Sequence, residues 1–229
     1  MTLADAFDDA TLSDSVALAL EGRSLLAHPF YRRWEAGLLT QDELAEYAVH
    51  YRAFEAALPG LLSTTVEKLR ADGEVEAEAM LSRNLHDELG RPEPHLDLFD
   101  RFADALTGEA ESSGPGPAAL ALVQTYSDMA AEGPVAALAG LAAYETQASA
   151  IASTKAEGLR RRYGVDAAGT EFWDVHAAMD EDHGDWAIEA LLVLGAEPSD
   201  VATSARRGAD AWWAFLDERE SCSSAPAGC

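Results

Sequence analysis

The sequence predicts an all-α protein, a single helical bundle of about seven to nine helices. Apolar residues make up 48% of the 229 residues, with Leu and Ala dominant, which is typical of a globular core. These residues recur at helical spacing in one segment after another, and no segment alternates as a half-buried strand does. Capping signals, proline and glycine stand between the segments, where helices should begin and end.

Local signals place the individual helices. Pro29 suits the first turn of a short helix. A capping box at Thr40 starts a long helix, which Pro59 should kink or interrupt. The predicted helices cover residues 16–26, 29–37, 40–69, 74–89, 95–106, 118–131, 134–163 and 171–194, followed by a last helix capped by Ser199. Residues 108–117 form the best candidate for an exposed loop.

The chain is expected to form one domain over residues 1–219 and a disordered tail over residues 220–229. The only cysteines, Cys222 and Cys229, lie in that tail. A disulfide in the core and a thiol nucleophile in the core are therefore both excluded.

The charge of the chain excludes two classes of partner. The net charge is −25 and the isoelectric point is near 4.3, so the surface repels nucleic acid and anionic membranes. No transmembrane helix is expected, and the acidic N-terminus lacks the pattern of a signal peptide, which makes a cytoplasmic protein the default. The abundance of Asp and Glu with almost no Lys also indicates an acidic, salt-adapted surface.

Two imidazoles and one carboxylate share a helix face at His176, Asp180 and His183. Positions i, i+4 and i+7 of a helix spread over only about 60°, and apolar neighbours indicate that this face points inward. Buried histidine and aspartate are costly unless they are paired or bind a metal. The pattern alone is equally compatible with a solvated acidic face, so it gains weight only from ligands elsewhere.

Further candidate ligands lie on other predicted helices. Glu88 stands at a helix end and His95 just past a turn, so both can converge on one point. Glu145 lies inside the most apolar helix, where an unpaired carboxylate is costly. Inward Glu, Asp and His side chains are the ligands of dinuclear iron or manganese sites in helical bundles. The alternative is that Glu145 pairs with an arginine and the histidines sit at helix ends.

With this pattern the chain resembles the heme-oxygenase-like diiron oxidases (the TenA/PqqC-like superfamily) and, within them, the CADD-like p-aminobenzoate synthases. The resemblance spans nearly the whole chain. All six candidate metal ligands stand at the family's spacing: Glu88, His95, Glu145, His176, Asp180 and His183. Four further positions match the family outside the metal set: Tyr31, Tyr47, Tyr144 and Lys155.

The resemblance implies a heme-oxygenase-like bundle with two metal ions, Fe/Fe or Fe/Mn, that uses O₂ and an external reductant. It also implies that p-aminobenzoate for folate biosynthesis is made from one of the protein's own tyrosines. Tyr31 would be the tyrosine consumed and Lys155 the nitrogen donor, with Tyr47 and Tyr144 as further catalytic residues. No external aromatic substrate would then be needed, and the family pattern favours a homodimer.

Two other functions stay open on the sequence. A diiron oxygenase acting on an external amino acid, amine or fatty acid would use the same ligands. A non-enzymatic helical module that binds a partner protein would need no metal, so metal content distinguishes it. On a straight helix Lys155 would lie about 15 Å along the axis from Glu145. Its long side chain, or a local distortion of the helix, must close that gap.

Overall fold

The computed structural model describes residues 11–90, 93–107 and 114–222, apart from the side chains of residues 107, 180 and 181. Over these ranges the chain forms nine α-helices, a 3-10 turn at Leu25–Ala27 and a π-helical segment at Leu159–Tyr163, without any strand, so the all-α prediction is confirmed. None of the helices in the described ranges combines the length and the apolar character needed to span a bilayer. The helices are α1 (Leu12–Ala19), α2 (Pro29–Ala36), α3 (Gln41–Asp72), α4 (Val75–Glu88), α5 (His95–Thr107), α6 (Pro117–Glu132), α7 (Pro134–Gly158), α8 (Ala167–Val193) and α9 (Pro198–Cys222).

Capping residues explain where α2 and α3 begin. Pro29 occupies the first turn of α2, and the side chain of His28 accepts a hydrogen bond from the backbone there. Gly37 ends α2 in the left-handed conformation with φ 72°. Thr40 and Glu43 form the predicted capping box at the start of α3. The predicted starts of both helices are therefore confirmed.

Two predicted helices differ from the structure. The helix expected over residues 16–26 ends at Ala19, because the chain turns at Gly22 with φ 69° before the 3-10 turn. Helix α3 runs through Pro59 as one helix rather than being interrupted. The buried Leu58 and Leu62 pack the helix on both sides of the proline, so tertiary packing outweighs one missing backbone hydrogen bond.

The C-terminal helix begins earlier and ends later than expected. Pro198 lies in its first turn, so Ser199 is inside the helix and is not its cap. Helix α9 continues to Cys222, past the predicted domain boundary at residue 219. Residues 223–229, the rest of the expected tail, and residues 108–113 of the expected loop lie outside the described residues.

Helix α7 is the central helix of the bundle. It packs most extensively against α8 and next against α9. Glycines allow both crossings to be close, since an added Cβ on Gly184 would lie 3.3 Å from Thr146 N and one on Gly208 would lie 3.1 Å from Gly140 O. The bundle therefore brings residues from α7 and α8 together with little side-chain volume between the two backbones.

Candidate metal centre

Three of the six predicted ligands form a buried cluster. The ligand atoms of Glu88, His95 and His176 lie within 4.8 Å of one another, and none of the three residues is more than 8% exposed. These residues come from the end of α4, the start of α5 and the middle of α8. Nδ1 of His95 lies 3.3 Å from Oε2 of Glu88 but is not aligned for a hydrogen bond. The end of α4 and the start of α5 thus place Glu88 and His95 at one point, as the sequence predicts.

The side chains of this cluster fit a divalent cation. Nδ1 of His176 donates to the carbonyl oxygen of Phe172 at 2.8 Å, which leaves the lone pair on Nε2. Burial lowers the pKa of His176 to about 4, so the ring is neutral at pH 7. Burial would raise the pKa of Glu88, but His95 and His176 hold it below its usual value. Neutral imidazole beside ionised carboxylate is a donor set that suits iron or manganese.

Glu145 and His183 lie where α7 and α8 cross and are not part of the group of ligand atoms within 4.8 Å of one another. Glycine 184 follows His183, and an added Cβ there would lie 3.4 Å from the carbonyl carbon of Glu145. Glu145 is 5% exposed, and burial together with the charge of Glu88 raises its pKa to about 8 against a hydrogen bond with Asn84. His183 is 1% exposed and helps to lower the pKa of Glu88. Both residues therefore lie within electrostatic reach of the cluster.

Asp180 is the sixth predicted ligand. It lies in α8, one helical turn after His176 and three residues before His183. Its side chain is outside the described part of the chain, so its role as a ligand stays a prediction.

A buried carboxylate that the sequence reading missed lies next to this centre. Glu55 on α3 is 5% exposed. Its pKa is raised well above the usual value by burial and by the charges of Glu88 and Glu145, against a hydrogen bond with Tyr51 and the charge of Lys155. Glu55 thus lies within electrostatic reach of both the metal ligands and the lysine. The sequence shows only that Glu55 lies four residues after Tyr51 on one helix face, and this spacing does not distinguish it from the other acidic residues.

The side chain of Lys155 lies in a cage of aromatic rings. Residue Lys155 is 1% exposed, although a lysine is almost never buried to that extent. The distances from its Nζ to the ring centroids are 4.0 Å for Trp173, 4.6 Å for Tyr31, 4.9 Å for Tyr51, 5.0 Å for Tyr47 and 5.9 Å for Trp34. These five residues are called the aromatic cage below. Ring faces attract a cation, so the cage holds the lysine head group where water is excluded.

Hydrogen bonds join Lys155 to the tyrosine that the resemblance singles out. Nζ of Lys155 donates to the hydroxyl of Tyr47 at 2.6 Å, and the hydroxyls of Tyr47 and Tyr31 are 2.8 Å apart. Burial raises the pKa of Tyr31 and that of Tyr47, so both phenols keep their protons at neutral pH. The structure therefore brings three of the four predicted catalytic residues into one hydrogen-bonded chain.

The fourth residue, Tyr144, connects to the cage through Tyr51. The hydroxyls of Tyr144 and Tyr51 are 2.5 Å apart, and Tyr144 directly precedes Glu145. The ring of Tyr51 also lies below Nζ of Lys155 at 4.9 Å. A side chain from α3 thus spans the interval along α7 between Glu145 and Lys155. Tyr51, to which the sequence analysis assigned no role, therefore contacts both Tyr144 and Lys155.

Solved structures that share this helical architecture define the class of protein. Two solved structures with the same fold are a CADD-like protein of unknown function from Nostoc punctiforme (TM-score 0.75, 17% identity, 92% of this chain and 96% of that chain) and a TenA homologue from Pseudomonas syringae (TM-score 0.73, 17% identity, 92% and 91%). A third, from Shewanella denitrificans, is described as having a heme oxygenase-like fold (TM-score 0.59, 17% identity, 100% and 99%). The chain is therefore an all-α protein of the heme-oxygenase-like fold with a buried Glu–His cluster.

The family is narrower than the fold. Residues 45–213 match the family described as iron-containing redox enzyme. A protein from Nitrosomonas europaea named 4-aminobenzoate synthase is 33% identical over 221 residues, with 90% of each chain covered. One of the same name from Chlamydia muridarum is 30% identical over 210 residues, with 89% of this chain and 88% of that protein covered. The chain belongs to this family of iron-containing redox enzymes and is a non-heme iron oxidoreductase.

Proposed function

We propose that this protein makes p-aminobenzoate from its own Tyr31, with Lys155 as the nitrogen donor. The observation that carries the proposal is the buried chain from Nζ of Lys155 through the hydroxyl of Tyr47 to that of Tyr31. Relatives that share nearly the whole length of the chain bear the name 4-aminobenzoate synthase. In this proposal the six predicted ligands hold two metal ions, Fe/Fe or Fe/Mn.

The metal ions, when bound, supply the activation of O₂, with electrons from an external reductant. The protein's own side chains exclude water and position the reacting groups. The aromatic cage excludes water from the amine of Lys155 and from the ring of Tyr31, which would be cleaved from the chain. Tyr47 accepts a hydrogen bond from Lys155 and so fixes the nitrogen beside Tyr31. Because both reacting groups belong to the chain, their effective concentration is set by the fold and no external aromatic substrate has to bind.

Isotope labelling tests the source of the ring. Protein grown on ring-labelled tyrosine is assayed in unlabelled buffer with Fe(II), reductant and O₂. Labelled p-aminobenzoate at less than one equivalent is expected. Tyr31→Phe should fold and bind metal but make no product, whereas Tyr126→Phe removes another buried hydroxyl outside the cage and should keep the reaction. Unlabelled product, or many turnovers on an added small molecule, would instead establish an oxygenase with an external substrate.

The two lysines of the chain allow an equally direct test of the nitrogen source. Lys68 is the only lysine besides Lys155, and its ammonium bonds the carbonyl of Ala131 at the surface. A Lys68→Arg protein grown on ε-¹⁵N-lysine carries the label at Lys155 alone. Its p-aminobenzoate should contain ¹⁵N. Lys155→Arg should make none, since arginine cannot deprotonate near neutral pH. Product without ¹⁵N would exclude Lys155 as the donor.

A further inference from the structure

A second carboxylate on α4 contacts a predicted ligand from the outer side. Asp87 directly precedes Glu88, and its Oδ2 lies 3.2 Å from Nε2 of His183. The histidine side chain is 1% exposed and the aspartate side chain is 25% exposed. An ionised carboxylate can only accept a hydrogen bond. Nε2 of a neutral His183 must therefore carry the proton of this bond.

We propose that Asp87 is the positioning residue of His183 and turns Nδ1, not Nε2, toward the metal. The metal in this proposal comes from the proposed function, whereas the hydrogen bond is a property of the chain. When Nε2 holds the proton, the lone pair lies on Nδ1, and that atom is fully buried. A carboxylate behind a ligating histidine fixes the ring and strengthens the nitrogen as a donor.

The pairing differs from that of the other histidine on α8. His176 donates from Nδ1 to the carbonyl of Phe172, so its available nitrogen is Nε2. His183 donates from Nε2 to Asp87, so the nitrogen that keeps its lone pair is Nδ1. Two histidines seven residues apart on one helix thus offer opposite nitrogens. The outer partner of the first is backbone and cannot be mutated, but the partner of the second can.

One face of α4 supplies the supporting contacts. Asn84, Asp87 and Glu88 lie within a little more than one turn and share this face. Asn84 bonds Glu145 on α7, and Asp87 bonds His183 on α8. Glu88 contributes to the cluster itself. Helix α4 therefore fixes groups on both of the helices that cross at Gly184.

The tautomer of His183 tests the proposal without any metal. In ¹⁵N-histidine-labelled, metal-free protein, long-range ¹H–¹⁵N spectra at a pH where the ring is neutral should show His183 protonated at Nε2. The signal is assigned by its loss in His183→Gln. Asp87→Ala removes the acceptor, so the Nε2–H form should fall from nearly the whole population toward the mixture of tautomers that an unconstrained neutral imidazole shows. A wild-type ring protonated at Nδ1 would overturn the proposal.

Metal affinity provides the second readout. Anaerobic Mn(II) titrations of Asp87→Ala and Asp87→Asn should show about tenfold to hundredfold weaker binding at one of the two positions. Asp217→Asn is the matched control, because Asp217 forms a second Asp–His pair among the described residues, 3.1 Å from Nε2 of the buried His28. Dissociation constants equal to wild type in both Asp87 variants would refute the positioning role. A wild type that binds no metal would refute the proposed function instead, and the tautomer would still decide the assignment of Asp87.

Discussion

Replacing Glu145 with glutamine should stabilise the metal-free protein, and the gain should grow as the pH rises. Burial and the charge of Glu88 raise the pKa of Glu145 to about 8 from an ordinary value of 4.5. The folded state then keeps a proton that the unfolded state releases. The contribution of protonated Glu145 to the free energy of unfolding is therefore fully present below pH 4.5. This contribution is lost as the pH rises through 8. Glutamine has no charge to bury and can still bond Asn84.

The magnitude follows from the size of the pKa shift. One pKa unit corresponds to about 1.36 kcal/mol, so ionisation of Glu145 destabilises the apo fold by about 3 kcal/mol at pH 7 and about 5 kcal/mol at pH 9. The increment between these pH values, about 1.4 kcal/mol, is the signature of the charge itself. The pKa of His176 is about 4 and that of Tyr47 is well above 10, so neither group titrates in this window. The charge of Glu145 also helps to raise the pKa of Glu55, so its removal relieves this repulsion as well and adds to the gain of the glutamine variant.

Denaturant titrations of chelator-treated wild type and Glu145→Gln at pH 7 and pH 9 measure the effect. Glu157→Gln is the control, since Glu157 lies on the same helix with a 60% exposed side chain. Equal stability differences at both pH values would refute a buried charge at Glu145. Mn(II) at 100 times its Kd should narrow this difference, because it adds about 2.7 kcal/mol to the state that binds it. The glutamine variant should gain less.

Three further predictions concern the ligands, the surface charge and the packing. Asp180→Ala or His183→Ala should remove metal from at least one position and abolish O₂ consumption, and full metal content with activity in either variant would refute that ligand. Molar KCl should raise the thermal midpoint relative to low salt, because the −25 charge is then screened, and an unchanged midpoint would remove the argument for salt adaptation. In chemical denaturation Gly60→Ala, with open space around its Cβ, should stabilise by about 0.5–1 kcal/mol. Gly208→Ala, whose Cβ would meet Gly140 O at 3.1 Å, should destabilise by about 1–3 kcal/mol.

The sequence predicted those features of the fold that local chemistry decides. Helix starts at Pro29 and Thr40 follow from capping groups within a few residues, and the apolar period identified every long helix. The continuity of α3 through Pro59 could not be predicted in the same way. A proline removes one hydrogen bond whatever its surroundings, whereas the packing that compensates for it comes from other helices. The homodimer that the resemblance implies stays a prediction, and sedimentation analysis would test it.

The residues of the site also divide into those that the sequence predicted and those that only the tertiary structure shows. Glu88, His95 and His176 could be found because ligand chemistry limits the residue types and their helical spacing. Glu55 and Asp87 could not be distinguished from the many other acidic residues of a chain with 41 Asp and Glu. Only tertiary structure shows that the first is buried beside Tyr51 and that the second bonds His183. Glu55 and Asp87 differ from the acidic residues of the surface in their burial and their hydrogen-bond partners, not in residue type.

If Tyr31 is consumed as proposed, the aromatic cage also bears on the stability of the protein that is left. The ring of Tyr31 is 2% exposed and packs against Phe30, Trp34 and Tyr47. Excision of that ring would leave a void comparable to that of a large-to-small core mutation, which destabilises by about 3–5 kcal/mol. Typical domains are stable by only about 5–15 kcal/mol. A spent chain would therefore populate its unfolded state far more often than a fresh one, and cellular proteases would select it for removal without any added degradation signal.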